Sequence, residues 1–309
     1  MLCPMALQHG IVLAHGYLGF GQIGTLEYFR GVKAHLLAGG CRVLETSVDP
    51  EGSVEIRAAE LQAQILAGFG GQPAHVIAHS MGGLDARYLI QPRVGKPSPL
   101  IASVTTLCTP HRGTFLATIA CEASGEPLRL LENPAFVKAM LELPILEAEL
   151  TAQFAMHCMM HPFDDFEAVA NMLETVGELV AHAGAQNFAP LATYLRTLFS
   201  VRDDAVLDML PGADVRLFSD GPPLVPCFSY SARAVPFDSL SPELILSNLI
   251  LRAVEGDNDG LVTDSAATWG KFMGCLSADH LGVLGWGCDQ QLTWFDQMVR
   301  NIRLNVPGA

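Results

Sequence analysis

The segment Ala74-His75-Val76-Ile77-Ala78-His79-Ser80-Met81-Gly82-Gly83 puts a serine where an apolar run stops and small residues begin. A strand that turns sharply into a helix at a serine strains the backbone there and exposes the hydroxyl, as in a nucleophile elbow. The flanking residues must be small for strand and helix to approach. Ala78 fills the first small position, where glycine is usual, and keeps its bulk low. By itself a small-x-Ser-x-small match is as readily an ordinary strand-to-helix turn. Its weight depends on whether a base, an acid and oxyanion donors accompany it.

An earlier segment, Ile11 to Ala14 followed by His15-Gly16-Tyr17-Leu18-Gly19-Phe20, has the form of a strand ending in an oxyanion loop. Acyl transfer places negative charge on the former carbonyl oxygen. A preorganised N–H donor aimed at that oxygen contributes about 2.7–4 kcal/mol when tested by removal. The backbone N–H of Tyr17 and that of Met81, the residue after the serine, are the expected pair.

The loop Glu255-Gly256-Asp257-Asn258-Asp259-Gly260-Leu261-Val262 supplies carboxylates after a helical segment, and Leu276-Ser277-Ala278-Asp279-His280-Leu281-Gly282 supplies a histidine after them. A triad acid orients the imidazole and stabilises its protonated form. Asp259 is the preferred acid, because Gly260 and Leu261-Val262 follow it directly; Asp257 is a weaker candidate and Asp264 weaker still. His280 is the preferred base. His15 belongs to the glycine loop, and His79 precedes Ser80 on a strand and should face the other way. His157, His161 and His182 lie in a helical stretch, where surface or packing roles fit better. The order serine, aspartate, histidine is that of the α/β-hydrolases.

Positioning such groups calls for a mostly parallel sheet covered by helices, and the first half of the chain alternates strand-like and helix-like segments accordingly. Strands are expected at Ile11 to Ala14, Arg42 to Val48, His75 to Ala78, Ile101 to Leu107 and Leu224 to Tyr230. Helices are expected from Leu26 to Leu37, Val54 to Leu66, Gly82 to Ile90, Glu243 to Val254 and Gln290 to Ile302. Between about Gly113 and Asp220 the alternation stops. Helical segments near Pro134 to Leu143, Ile145 to Met160, Phe166 to Ala183 and Leu191 to Leu210 read as an inserted cap or lid within one domain spanning residues 1–309. Its dense stretch of Phe154, Met156, Met159, Met160, Phe163 and Phe166 suits a surface that accepts lipid chains of different shape.

Composition narrows the function classes. Half of the 309 residues are hydrophobic and 16% are charged, which excludes a disordered chain. Acidic residues outnumber Lys and Arg by 32 to 18, for a formal charge of −14 that repels nucleic acid. No transmembrane span is expected, since Gly, Pro or charge interrupts every apolar run. No Lys or Arg precedes Arg30, and strand-like sequence begins at Ile11, so the N-terminus reads as mature protein and the location stays open. The eight cysteines, Cys3, Cys41, Cys108, Cys121, Cys158, Cys227, Cys275 and Cys288, lack zinc-site spacing. Most read as buried thiols, with one disulfide among Cys227, Cys275 and Cys288 left open.

The HGYLGF loop, AHSMGG, the segment CTPHRGT from Cys108 to Thr114, and DNDGLV before DHLG together resemble the bacterial true lipases, the Pseudomonas-type triacylglycerol lipases of the α/β-hydrolase superfamily. The resemblance implies the triad Ser80, Asp259 and His280, oxyanion donors at Tyr17 and Met81, and a mobile lid in the insertion. It implies catalysis without a cofactor on acylglycerols and other lipophilic esters, at an oil–water interface. Many such lipases hold a structural calcium through an aspartate two positions after the histidine. Here that position is Gly282, and Asp238, near another ligand position, is a poor site alone for a cation that takes six to eight oxygens. A soluble-substrate carboxylesterase or polyester hydrolase is the second reading, and a non-catalytic lipid-binding relative the third.

Overall fold

A computed structural model describes residues 6–23, 26–93, 95–125, 133–135, 138, 204–234, 239–241 and 244–309. Six strands, β1 (Gly10–Ala14), β4 (Val43–Glu45), β5 (Ala74–His79), β6 (Ile101–Leu107), β7 (Cys227–Ala232) and β8 (Lys271–Leu276), form one sheet in the order β4-β1-β5-β6-β7-β8. Every pairing in it is parallel. Strands β1, β5 and β7 are buried at every position, as a parallel sheet covered on both faces requires.

The two faces follow from the alternation of side chains along a strand. Ile11, Leu13 and Ile77 pack with α1 (Val32–Ala38) and the C-terminal helix Gln291–Asn305. Val12, Ala14, Val76 and Ala78 pack on the opposite face with α2 (Val54–Phe69) and α3 (Gly82–Ile90). Helix α2 is held at both ends: the Ser53 hydroxyl accepts the Ile56 N–H, and Gly70 ends the helix at φ 61°. The chain moves outward from β1 to β4 and then returns past β1 to β5, which makes the carboxyl ends of β1 and β5 a topological switch point. Ala14 and Ala78 are register partners there. The residues that follow them, His15-Gly16 and His79-Ser80, therefore emerge side by side.

Several boundaries differ from the sequence reading. Leu26–Glu27 (β3) pairs with Gln22–Ile23 (β2) in a short hairpin, and the helix starts only at Val32, after Gly31 at φ 70°. The second sheet strand shortens to Val43–Glu45, and the strand expected from Leu224 begins at Cys227, after Pro226. Strand β8 was not expected: it is an edge strand, largely exposed, without a clean alternation.

Of the insertion, the described parts include the helices Phe115–Gly125, Asp204–Asp208 and Asp214–Leu217. The expected segments 145–160 and 166–183, and most of 134–143 and 191–210, lie outside the described residues, as do Asp238, His157, His161 and His182. Cys227, Cys275 and Cys288 are free thiols, which closes the question of a disulfide among them. Among the described residues no helix is long and apolar enough to cross a membrane.

Candidate active site

Ser80 takes φ 53°, a conformation that costs a non-glycine residue about 1–3 kcal/mol unless its surroundings impose it. They do so here. Its N–H donates to the Leu107 carbonyl (2.9 Å), and its carbonyl accepts from the Gly83 N–H (3.0 Å) and the Thr109 hydroxyl (2.8 Å). The small neighbours are sterically required: a Cβ on Gly82 would stand 2.5 Å from the His15 oxygen, and one on Gly16 would stand 2.6 Å from the Ser80 Cβ. Ala78 is fully buried within β5, so the one departure from the glycine pattern is accommodated by the strand.

His280 and Asp259 meet from two loops. Nδ1 of His280 lies 2.8 Å from Oδ2 of Asp259, and the His280 N–H donates to the Asp259 carbonyl at 2.8 Å. The other carboxylate oxygen accepts the N–H groups of Leu261 (2.9 Å) and Val262 (2.7 Å). An ionised carboxylate only accepts, so Nδ1 carries the proton and Nε2 is left with a free lone pair. Asp257 and Asp264 both pair with Arg233, at 3.0 Å and 2.7 Å, which takes them out of competition for the histidine.

Ser80 and His280 line one cavity of about 380 Å³, together with Tyr17, Leu18, Phe20, Leu244, Leu261 and Trp286 among others. Met81 precedes the first residue of α3, where helical N–H groups lack intrahelical partners. The loop carrying Tyr17 is clamped from below by the fully buried Arg57, whose guanidinium donates to the carbonyls of His15 (3.0 Å), Gly16 (3.3 Å) and Asp49 (2.6 Å) and pairs with Asp85 at 2.8 Å. Burial pushes the Asp85 carboxyl up to about 6, with Arg57 pulling against it.

Five contributors were missed from sequence. Arg57 left a trace: it falls on the stripe of α2 with Val54, Ala58, Leu61 and Ile65, where a charge needs a buried partner. His79 packs under the His280–Asp259 pair, its ring 4.5 Å from that of His280. Its Nε2–H donates to the His280 carbonyl (2.9 Å), so Nδ1 accepts from the Tyr28 hydroxyl (2.8 Å), whose oxygen takes the Gly16 N–H (3.1 Å). Tyr28 thus links the glycine loop to the base and had no local signal. Cys108, at φ 54°, brings its sulfur to within 4.8 Å of ligand atoms on Asp259 and His280. Burial and the Asp259 charge push this thiol well above its ordinary range, so it remains a neutral neighbour of the acid. Asp279 is the fifth.

The buried histidines make stability pH-dependent. Burial pushes His15 and His75 down to about 4, and His79 and His111 well below the ordinary value. Unfolded, each titrates near 6.5. Between about pH 6.5 and 4 the unfolded chain therefore binds more protons, and stability rises with pH by up to about 1.4 kcal/mol per pH unit per histidine. Asp85, Glu45 and Glu255, whose carboxyls burial pushes up, act with the opposite sign at the acid end of this window, three groups against four. The urea midpoint is expected to fall between pH 7 and pH 5, and an unchanged midpoint would contradict the neutral assignment.

The fold has known counterparts. The mature form of a Bacillus licheniformis lipase superposes with a TM-score of 0.59 over 95% of both chains at 15% identity, and Staphylococcus hyicus lipase with 0.56 over 96% of this chain and 97% of its own at 17%. In sequence, triacylglycerol lipase 2 of Saccharomyces cerevisiae is 28% identical over 279 residues, 87% of this chain and 65% of its own. A triacylglycerol lipase of Pseudomonas fragi is 36% identical over 115 residues, 36% of this chain and 37% of its own. These neighbours show that the chain has an α/β-hydrolase fold. The chain spans just under two thirds of the yeast relative's length and about a third of the Pseudomonas one. No family model matches it.

Proposed function

We propose that this α/β-hydrolase is a serine carboxylic-ester hydrolase acting through an acyl-enzyme on Ser80, with acylglycerols and other lipophilic esters as substrates. The observation that carries the reading is a strained serine opening into the same cavity as a histidine whose Nδ1 is held by a buried aspartate.

In the first half-reaction Nε2 of His280 takes the Ser80 proton as Oγ attacks the ester carbonyl. The backbone N–H groups of Tyr17 and Met81 hold the oxyanion, and the protonated histidine then gives its proton to the leaving alcohol. In the second, water attacks the acyl-enzyme by the same proton path and releases the acid. Asp259 keeps the imidazole in one tautomer and balances its transient charge. No step calls for a cofactor.

The substrate class is supported by the apolar lining of the cavity, by the exposed Leu18 and Leu281 at its edge, and by relatives named triacylglycerol lipase. A p-nitrophenyl ester series from C2 to C16, with Ser80→Ala as control, tests it. The expected result is a preference for medium and long chains and a rise in rate once substrate exceeds its solubility limit. Preference for C2–C4 with a purely hyperbolic response would favour the soluble-substrate carboxylesterase.

A further inference from the structure

We infer that Asp279 is a positioning residue for His280, its buried carboxylate tying the histidine loop to the start of the helix Ile245–Val254. The inference rests on the proposed role of His280 as the base.

Asp279 is 1% exposed, and among the described residues its carboxylate accepts from backbone donors on either side of the site. Oδ1 accepts the N–H groups of Leu281 (3.0 Å) and Gly282 (2.6 Å), wrapping the chain tightly around His280. Oδ2 crosses to the Ser241 N–H at 2.6 Å. The Ser241 carbonyl in turn accepts the Leu244 N–H (3.0 Å), the residue that opens the helix and lines the cavity. With His280 N–H on Asp259 and His280 C=O on His79, the backbone of the base is fixed by three separate elements. Charge-assisted bonds of this kind are roughly twice as strong as neutral ones.

Position 282 belongs to the same arrangement. A Cβ there would stand 3.1 Å from Oδ1 of Asp279, so a side chain at 282 would press the carboxylate aside by a few tenths of an ångström. A calcium ion near the histidine is the device that the resemblance to true lipases raises. The described residues do not fit it: Gly282 has no side-chain oxygen, and the oxygens of Asp279 are turned to three N–H donors. A carboxylate here makes the cross-link directly.

The test compares the wild type with Asp279→Asn, whose amide places a donor against one of the N–H groups, and with Gly282→Ala, which crowds Oδ1 and spares the fold. Turnover of a soluble ester, unfolding midpoint and amide hydrogen exchange across residues 277–284 are measured well below the midpoint. In Asp279→Asn, kcat should fall by about 100-fold, as expected of a base misplaced by an ångström. KM should stay within about twofold, and exchange across the loop should rise. Gly282→Ala should show the same pattern, smaller. Neither EDTA nor calcium should change the wild type. An unchanged kcat and loop exchange in folded variants would overturn the inference, as would loss of wild-type activity in EDTA restored by calcium but not magnesium. If the wild type hydrolyses no ester, the functional reading fails, whereas loop exchange still decides the role of Asp279.

Discussion

Replacing Ser80 or His280 by alanine is expected to lower kcat on a soluble ester by on the order of 10⁶, because triad members act as a unit and loss of one removes nearly the whole covalent route. The two variants should differ in stability. Ser80 sits at φ 53°, and alanine bears the same backbone strain with one polar atom fewer, so Ser80→Ala should unfold close to the wild type. His280→Ala leaves the buried Asp259 carboxylate without its side-chain partner, a type of loss that typically costs about 1–3 kcal/mol. Activity must therefore be read alongside circular dichroism. A wild-type rate in folded Ser80→Ala would sink the assignment.

Asp259→Asn is expected to lower kcat by on the order of 10⁴ through the tautomer of the base. The N–H groups of Leu261 and Val262 both point at Oδ1, so an asparagine must keep its oxygen there and turn its NH₂ toward His280. Nδ1 can then only accept, the ring proton moves to Nε2, and the nitrogen facing Ser80 ceases to be a base. Asp257→Ala should change kcat by less than about twofold, since that side chain is exposed and paired with Arg233. A larger loss in Asp257→Ala than in Asp259→Asn would move the acid.

The sheet and the three groups proposed to react, Ser80, Asp259 and His280, were legible because each leaves a local mark. Apolar runs such as Ile11 to Ala14 and His75 to Ala78 must be buried on both faces, and the elbow demands small residues next to Ser80. Asp259 could be preferred over Asp257 from the apolar residues after it, and the structure adds the reason: Leu261 and Val262 bend back to hold its carboxylate.

What stayed hidden depends on partners far away in the chain. Strand β8 is exposed and at the edge, so neither alternation nor hydrophobicity marks it. Glu27 and Leu26 fit a helix by type, and only Gly31 breaks the pattern. Tyr28 and His79 are separated by 51 positions, and nothing near either shows that they join the glycine loop to the base. Asp279 was adjacent to the predicted histidine. Nothing near it marked a role, because its third partner, Ser241, lies 38 positions away.

The central claim is that Ser80 is a nucleophile activated by His280. Incubation with a fluorophosphonate, followed by intact-mass and peptide mass spectrometry, tests this without reference to any substrate. One adduct per chain is expected, on the peptide carrying Ser80. Its rate of formation should fall on the order of 10³-fold or more in His280→Ala, where no general base activates the hydroxyl. An adduct on another serine, or equal labelling in His280→Ala, would contradict the account.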